Sequence, residues 1–278
     1  MFLRQTVPTI ILKRQTIFFI GFLLSLSLYA TWIDKIERDL YGVKPGVTIE
    51  GIDLSRYLPK EVEVILEELA IRYKQIPVNP MLDKETGVII PEKAGYQVNV
   101  KKTQEKIFAA QPNQRVELVK DVLRSTYTVA DLAPITRQIG YFHTWFYGSG
   151  GRWRNIELAC KGCNNTIVWP GKVFSFNEVV GPRTPERGFA VAPIIGGRDF
   201  GGGVCQVSTT VYNAALKAGL PIVERHPHSK PVPYIAAGKD ATVAYNYADM
   251  KFKNDRAYPV IVKAGIDRGK IYAYILGK

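Results

Sequence analysis

The sequence predicts an α+β protein: an N-terminal transmembrane helix, a small α+β module, and a strand-rich domain in which one helix begins at a cysteine. Three observations carry this. Gln15 to Ile33 runs uncharged as QTIFFIGFLLSLSLYATWI. The stretch from there to about residue 135 mixes short strand patterns with two helical ones. From Gly140 onward glycine, aromatic residues and short strand patterns take over, and all three cysteines and all three histidines lie there. The divisions fall at 1–34, 35–135 and 136–278.

At ~1.5 Å per residue the uncharged run spans roughly 28 Å, close to the hydrocarbon thickness of a bilayer. Arg4, Lys13 and Arg14 precede it, which puts the N-terminus in the cytoplasm and everything after Asp34 outside, as a single-pass membrane protein. A signal peptide cut after Ala30 is the alternative. Leu28 is large for the third position before such a cut and the apolar run is long, so the uncleaved anchor is the expectation. The net charge is +12, from 37 Lys and Arg against 25 Asp and Glu, without one long basic run. On an exported domain that excess suits acidic lipids or wall polymers and argues against nucleic acid as a partner.

In the module, GVTIEGIDLS alternates like a short strand and ends at Ser55, placed to cap the next helix. LPKEVEVILEELAIRYKQ then sets Val62, Ile65, Leu66, Leu69 and Ala70 at helical spacing. GVIIPEKAGYQVNV reads as strand, turn and strand, KKTQEKIFAAQ as a helix and RVELVKDVL as strand. With no acid pair, metal cluster or phosphate loop, the module reads as a packing, spacer or binding unit.

In the third part, RWRNIELACKGCNN is helical up to about Cys163, and TIVWPGKVFSFNEVVG reads as strand, Pro-Gly turn and strand. GRDFGGGVC reads as a loop, and a helix follows from Cys205 to Ala218, stopped by Gly219 and Pro221. PIVERHPHS and VPYIAAGKDATVAYNY are strand-rich, and YPVIVKAGIDRGKIYAYIL is a hairpin across Asp267, Arg268 and Gly269. Trp145, Phe146 and Tyr147 read either as core plus loop or as the lip of a sugar or peptide groove.

Three cysteines are an odd number for an oxidising compartment. Cys160 and Cys163 can pair with each other as CKGC, which leaves Cys205 free. Val204, Val207, Val211, Ala214, Ala215 and Ala218 form the core-facing stripe of its helix, while Cys205, Thr209 and Tyr212 project from a neighbouring face. Unsatisfied N–H groups and the dipole at a helix start favour negative charge, and the thiolate is the nucleophilic form of cysteine. Gly201, Gly202 and Gly203 admit a close substrate backbone and positive φ. The amides around Gly203 and Cys205, with Gln206 as a side-chain donor, form a candidate oxyanion hole. The plainer alternative is a tight loop with a small apolar residue at a helix end.

A base is available. His226 and His228 lie two apart in ERHPHS, on one face of a strand if Pro227 permits, and Asp240 in AGKDATV can accept from an imidazole N–H. Thiol, histidine and polar orienter in that order suit thiol acyl transfer. Arg183, Arg198 and Arg225 are candidates to hold a substrate carboxylate. His143, among aromatics, reads as a packed or surface residue. HPH alone is not a zinc set, and neither metal nor cofactor is expected.

The blocks RWRNIELA, PGKVFSFNEVVGPRTPERGF, GGGVCQVSTTVYNAALKAGL, ERHPHS, GKDATV and DMKFKN, in that order, make the stretch from about Gly140 to Gly277 resemble the VanW domain family. The stretch from about Val47 to Val116 resembles the peptidoglycan-binding modules that precede VanW domains in wall-associated proteins. The resemblance implies a cell-envelope protein acting on peptidoglycan as a cysteine-dependent L,D-transpeptidase. In it Cys205 is the nucleophile, His228 the base and His226 the secondary candidate, while Asp240 is not a fixed part of the family pattern. The implied partners are peptidoglycan stem peptides, cleaved between an L- and a D-centre, and the membrane. A papain-like wall peptidase and a non-catalytic wall-binding scaffold are the alternatives. A CKGC thiol-disulfide reductase lacks a thioredoxin-like βαβ context. The sequence sets neither the donor and acceptor stems nor the oligomeric state.

Overall fold

The computed structural model describes residue 29, residues 31–148 and residues 150–278. The anchor expected at residues 15–33 falls outside the described residues except at its last few positions. Among the described residues no helix is long and apolar enough to cross a membrane. The architecture is mixed α+β, and the chain forms two compact units. The described residues up to Pro77 and Ala94–Arg124 form the first, and Val78–Lys93 with the described residues of Ser125–Lys278 the second, so the chain passes between units three times where the sequence suggests one boundary near 135.

In the first unit the helix Pro59–Arg72 buries Val62, Leu66 and Leu69, the expected stripe, against Val47, Ile49, Leu54, Ile107 and Val116. Its N-cap is Leu58, whose amide donates to Glu61, with Pro59 at the first helical position, where a missing N–H costs nothing. Ser55 is therefore not the cap: its hydroxyl accepts from the Gly46 amide and donates to Asp53. The helix Val100–Ala109 is capped by Asn99, which accepts from the Lys102 amide. GVTIEGIDLS is two strands, Thr48–Ile49 and Ile52–Asp53, joined through Glu50 and Gly51 at positive φ. GVIIPEKAGYQVNV holds the two expected strands, which pair elsewhere rather than with each other. Ile89–Ile90 pairs with Met81–Leu82 in the second unit, and Gly95–Val98 pairs with Lys120–Leu123 in the first.

The second unit is organised by an antiparallel sheet in the order Arg137–Trp145, Lys270–Gly277, Val260–Asp267, Thr166–Val168. The hairpin turn at Arg268 and Gly269 has positive φ at both residues, which matches the twist of the flanking strands. Val260, Val262, Ala264, Ile271, Ala273 and Ile275 alternate onto one face and are buried. Against that sheet lies the helix Val204–Lys217. It approaches Gly140 so closely that a β-carbon there would stand 2.3 Å from the Ala214 carbonyl oxygen. A smaller sheet, Val173–Ser175, Lys251–Lys253 and Ile222–Glu224, contributes Phe174 and Phe252, stacked at 4.8 Å.

Three segments differ from expectation. GRDF is not loop but the second strand of a hairpin, Val191–Ile194 with Gly197–Phe200, turning at Gly196. All four of its residues are exposed, so no apolar alternation marks it. FNEVV is a short helix, Phe176–Val180, capped by Ser175. Much of VPYIAAGKDATVAYNY is irregular, tied down by single bridges such as His226 to Thr242. Cys160 and Cys163 are buried free thiols inside the helix Gly151–Cys163. Residues three apart on a helix hold their β-carbons about 5–6 Å apart, against the ~3.8 Å that a disulfide needs.

Candidate active site

Cys205 sits at the second position of the helix Val204–Lys217, after Gly203, which caps it at φ 104°. From Val204 to Ala215 every residue except Cys205 is buried, including Thr209 and Tyr212, so the thiol alone emerges from this part of the helix. The helix is central rather than half-exposed. Its second face is polar for a structural reason: Thr209 Oγ1 accepts from the Ala241 amide at 3.0 Å, and Asn213 donates to the Lys239 carbonyl at 2.8 Å. These two bonds pin both neighbours of Asp240 to the helix that carries Cys205.

Asp240, 6% exposed, accepts from the backbone N of His228 and shares a 2.6 Å bond with its Nδ1. With Nδ1–H donating to the carboxylate, Nε2 is left with its lone pair. Tyr234 hydroxyl lies 3.5 Å from Nε2, and His228 is also in side-chain hydrogen-bond reach of Cys205. The Cys205 thiol donates to the Val243 carbonyl at 3.4 Å. Burial lowers the His228 pKa, but its bonds to Cys205 and Asp240 outweigh burial and hold it above 6.5. Burial raises Asp240, and the two bonds from His228 more than reverse that, holding it below 3.8. Burial keeps the Tyr234 phenol protonated.

Cys205, His228 and Asp240 thus meet. His226 does not join them: its side chain turns to Glu224 at 2.8 Å, in a surface cluster with Lys251. The two histidines diverge because the chain leaves regular strand after Glu224. Arg225 does not face substrate either, since its Nη2 holds Asp240 at 2.8 Å and its Nε bonds the Asp240 carbonyl. Gln206 is buried, with its amide nitrogen donating to Trp145 and Thr144 and its oxygen accepting from Arg152, so it offers no donor beside the thiol. The amides of Val204 and Gln206 turn back to Gly201 and Gly203, whereas the Cys205 amide has no backbone partner among the described residues. That N–H is left free to donate beside the thiol.

The three glycines serve the chain's own packing. A β-carbon on Gly201 would meet Arg183, one on Gly202 the carbonyls of Ala192 and Pro193 at 2.6 Å, and one on Gly203 Ile156 at 3.0 Å. Asn155 fastens the same loop, donating to the Gly202 and Ala190 carbonyls and accepting from the Ala190 amide. Asn155 and Arg152 lie in RWRNIELA, and only the distant partners they find in the fold reveal their role.

Around the thiol runs a groove of about 1500 Å³. Trp145 and Tyr147 form part of its wall, with the hairpin residues Ile194, Ile195 and Phe200 and the arginines Arg152, Arg183 and Arg198. Trp145 and Tyr147 are exposed, while Phe146 turns inward and its ring packs 5.2 Å from that of Trp153. His143 is a surface residue between Tyr141 and Trp145.

The family model described as VanW like protein matches residues 151–276, which include Cys205, His228 and Asp240. A Bacillus subtilis (strain 168) protein named Uncharacterized protein YoaR is 36% identical over 233 residues, covering 78% of this chain and 77% of that one. The chain belongs to the VanW-like family. The Vancomycin B-type resistance protein VanW of Enterococcus faecalis (strain ATCC 700802 / V583) is 30% identical over 130 residues, 44% of this chain and 47% of that protein. No solved structure matches the chain. The VanW match lies within the second unit, so the family relationship and the Cys205 groove belong to the same part of the chain.

Proposed function

We propose that this VanW-like protein is a cell-envelope enzyme that carries out cysteine-dependent acyl transfer on peptidoglycan stem peptides, with its catalytic unit outside the membrane. The single observation that carries the reading is the Cys205–His228–Asp240 array opening into a groove. One relative is named for vancomycin resistance.

His228 Nε2 takes the Cys205 proton as Sγ attacks the carbonyl of a stem peptide bond between an L- and a D-centre. The oxyanion points to the Cys205 amide, and Arg152 and Arg183 lie in the same groove. The carbon–nitrogen bond breaks, His228 returns the proton to the departing amine, and a thioester remains. An amine from a second stem gives up a proton to His228, attacks the thioester and releases the thiol. Asp240 keeps the imidazole in the tautomer both steps need, and Arg225 keeps Asp240 in place.

Resolution by water would make the same array a peptidase. A groove of about 1500 Å³ favours transfer, because it has room for an acceptor strand beside the donor. The test incubates the purified full chain, wild type beside Cys205→Ala, with disaccharide-tetrapeptide muropeptides and reads products by mass spectrometry. A Cys205-dependent dimer is the expected result, and trimming without a dimer indicates the peptidase. Turnover that survives both Cys205→Ala and Cys205→Ser overturns the mechanism.

A further inference from the structure

We infer that Arg183 forms a subsite for a free peptide carboxylate in the groove, so that the site takes chain ends rather than interior peptide bonds; this rests on the acyl-transfer reading above. Three arginines line the groove and Arg225 lies beside it, and their surroundings differ. Arg225 is committed to Asp240 and Arg152 donates to Gln206. Arg198 stands exposed on the hairpin. Arg183 is built in. Its Nη1 donates to the Gly181 carbonyl at 3.0 Å, and its guanidinium lies 5.6 Å from the Phe176 ring and 5.9 Å from the Tyr245 ring. The loop before the nucleophile is shaped around its stem, since a β-carbon on Gly201 would stand 2.8 Å from Arg183 Cγ.

What this held cation lacks is an anion. Its Nη2 is buried and has no hydrogen-bond partner among the described residues. Asp249, whose charge it senses, is already taken by the Ser175 hydroxyl and the Asn177 amide. A desolvated guanidinium with open N–H groups is costly to maintain unless a ligand answers it, and a carboxylate does so with two parallel hydrogen bonds. Arg183 and Cys205 line the same groove. A terminal carboxylate held there brings the last peptide bond of a chain to the thiol, so the residue bearing that carboxylate becomes the leaving group. An amidated end, or an end consumed in a cross-link, lacks the anion.

The test uses the full chain carrying Cys205→Ala, titrated by calorimetry with diacetyl-L-lysyl-D-alanine as the free acid and as its C-terminal carboxamide. A charge-assisted pair predicts about tenfold or greater preference for the acid. Arg183→Gln should abolish that preference and Arg183→Lys should retain part of it. Thermal unfolding of each variant shows whether it is folded, and the acid-to-amide comparison in the parent needs no change at Arg183. Equal binding of acid and amide, no binding of the acid, or a preference that survives Arg183→Gln and disappears in Arg198→Gln overturns the inference. Turnover by the wild-type chain is measured separately with muropeptides. Its absence alongside an intact acid preference would unseat acyl transfer and leave the carboxylate subsite standing.

Discussion

Replacing Asp240 with Asn removes one charge and changes little volume, so its effect reads the array directly. The carboxylate accepts the His228 amide and Nδ1 on Oδ2, both at 2.6 Å, and Arg225 Nη2 on Oδ1 at 2.8 Å. A carboxamide keeps one acceptor oxygen and turns its NH2 toward the other set, so either His228 or Arg225 faces a donor. An unsatisfied buried donor costs about 1–3 kcal/mol, more when charged, which gives an expected loss of about 2–4 kcal/mol. For a domain of about 150–250 residues that lowers Tm by roughly 4–16 °C. The loss should depend on pH. Asp240 has a depressed pKa, so its contribution is present above about 3.8 and fades as pH falls through the folded value. His228 has a raised pKa, so its contribution is full below about 6.5 and fades as pH rises through the folded value. The two overlap between these limits. Thermal unfolding followed by circular dichroism should show the largest gap between wild type and Asp240→Asn near pH 5, with smaller gaps near pH 3 and pH 9. At the alkaline end the neutral Nδ1–H bond still leaves some difference. An equal gap at all three pH values, or no gap, would refute the ion-pair reasoning.

Other consequences are open to simple measurement. In the native protein a thiol reagent should modify Cys205 and leave Cys160 and Cys163 untouched until denaturant is added, because burial pushes both of those thiols up, Cys163 to about 12. Rapid labelling of all three would contradict that burial. Gly202→Ala puts a β-carbon 2.6 Å from two carbonyl oxygens of the hairpin, and should cost about 1–3 kcal/mol in urea unfolding along with most of the turnover. An unchanged urea midpoint would mean the loop yields freely. Arg225→Ala should slow muropeptide turnover and shift its pH profile by loosening Asp240, with Arg225→Lys recovering part of the loss. An unshifted profile would remove Arg225 from the positioning chain.

Local patterns were legible wherever one face of an element meets a core. The stripes of Pro59–Arg72 and Val204–Lys217, and the alternation in the closing hairpin, follow from periodicity and turn residues alone. GRDF was not legible, since a hairpin strand exposed on both faces leaves no apolar period to read. The polar residues of the central helix were misplaced for the opposite reason. Thr209 and Tyr212 look like a face projecting beside the core stripe but are buried, and the amide that Thr209 accepts from, that of Ala241, lies 32 residues away.

The same division runs through the site. By itself the sequence determined that one cysteine begins a helix behind three glycines, that two histidines and an aspartate follow, and which family pattern they make. Those are properties of neighbouring residues and their order. Only the tertiary structure decided that His226 turns away to Glu224, that Arg225 serves Asp240, that Gln206 is spent inside the core, and that Arg183, in the groove wall, keeps a buried Nη2 with no partner among the described residues. Each depends on which distant backbone group meets a side chain once the helix has docked on its sheet, and no local spacing encodes that meeting.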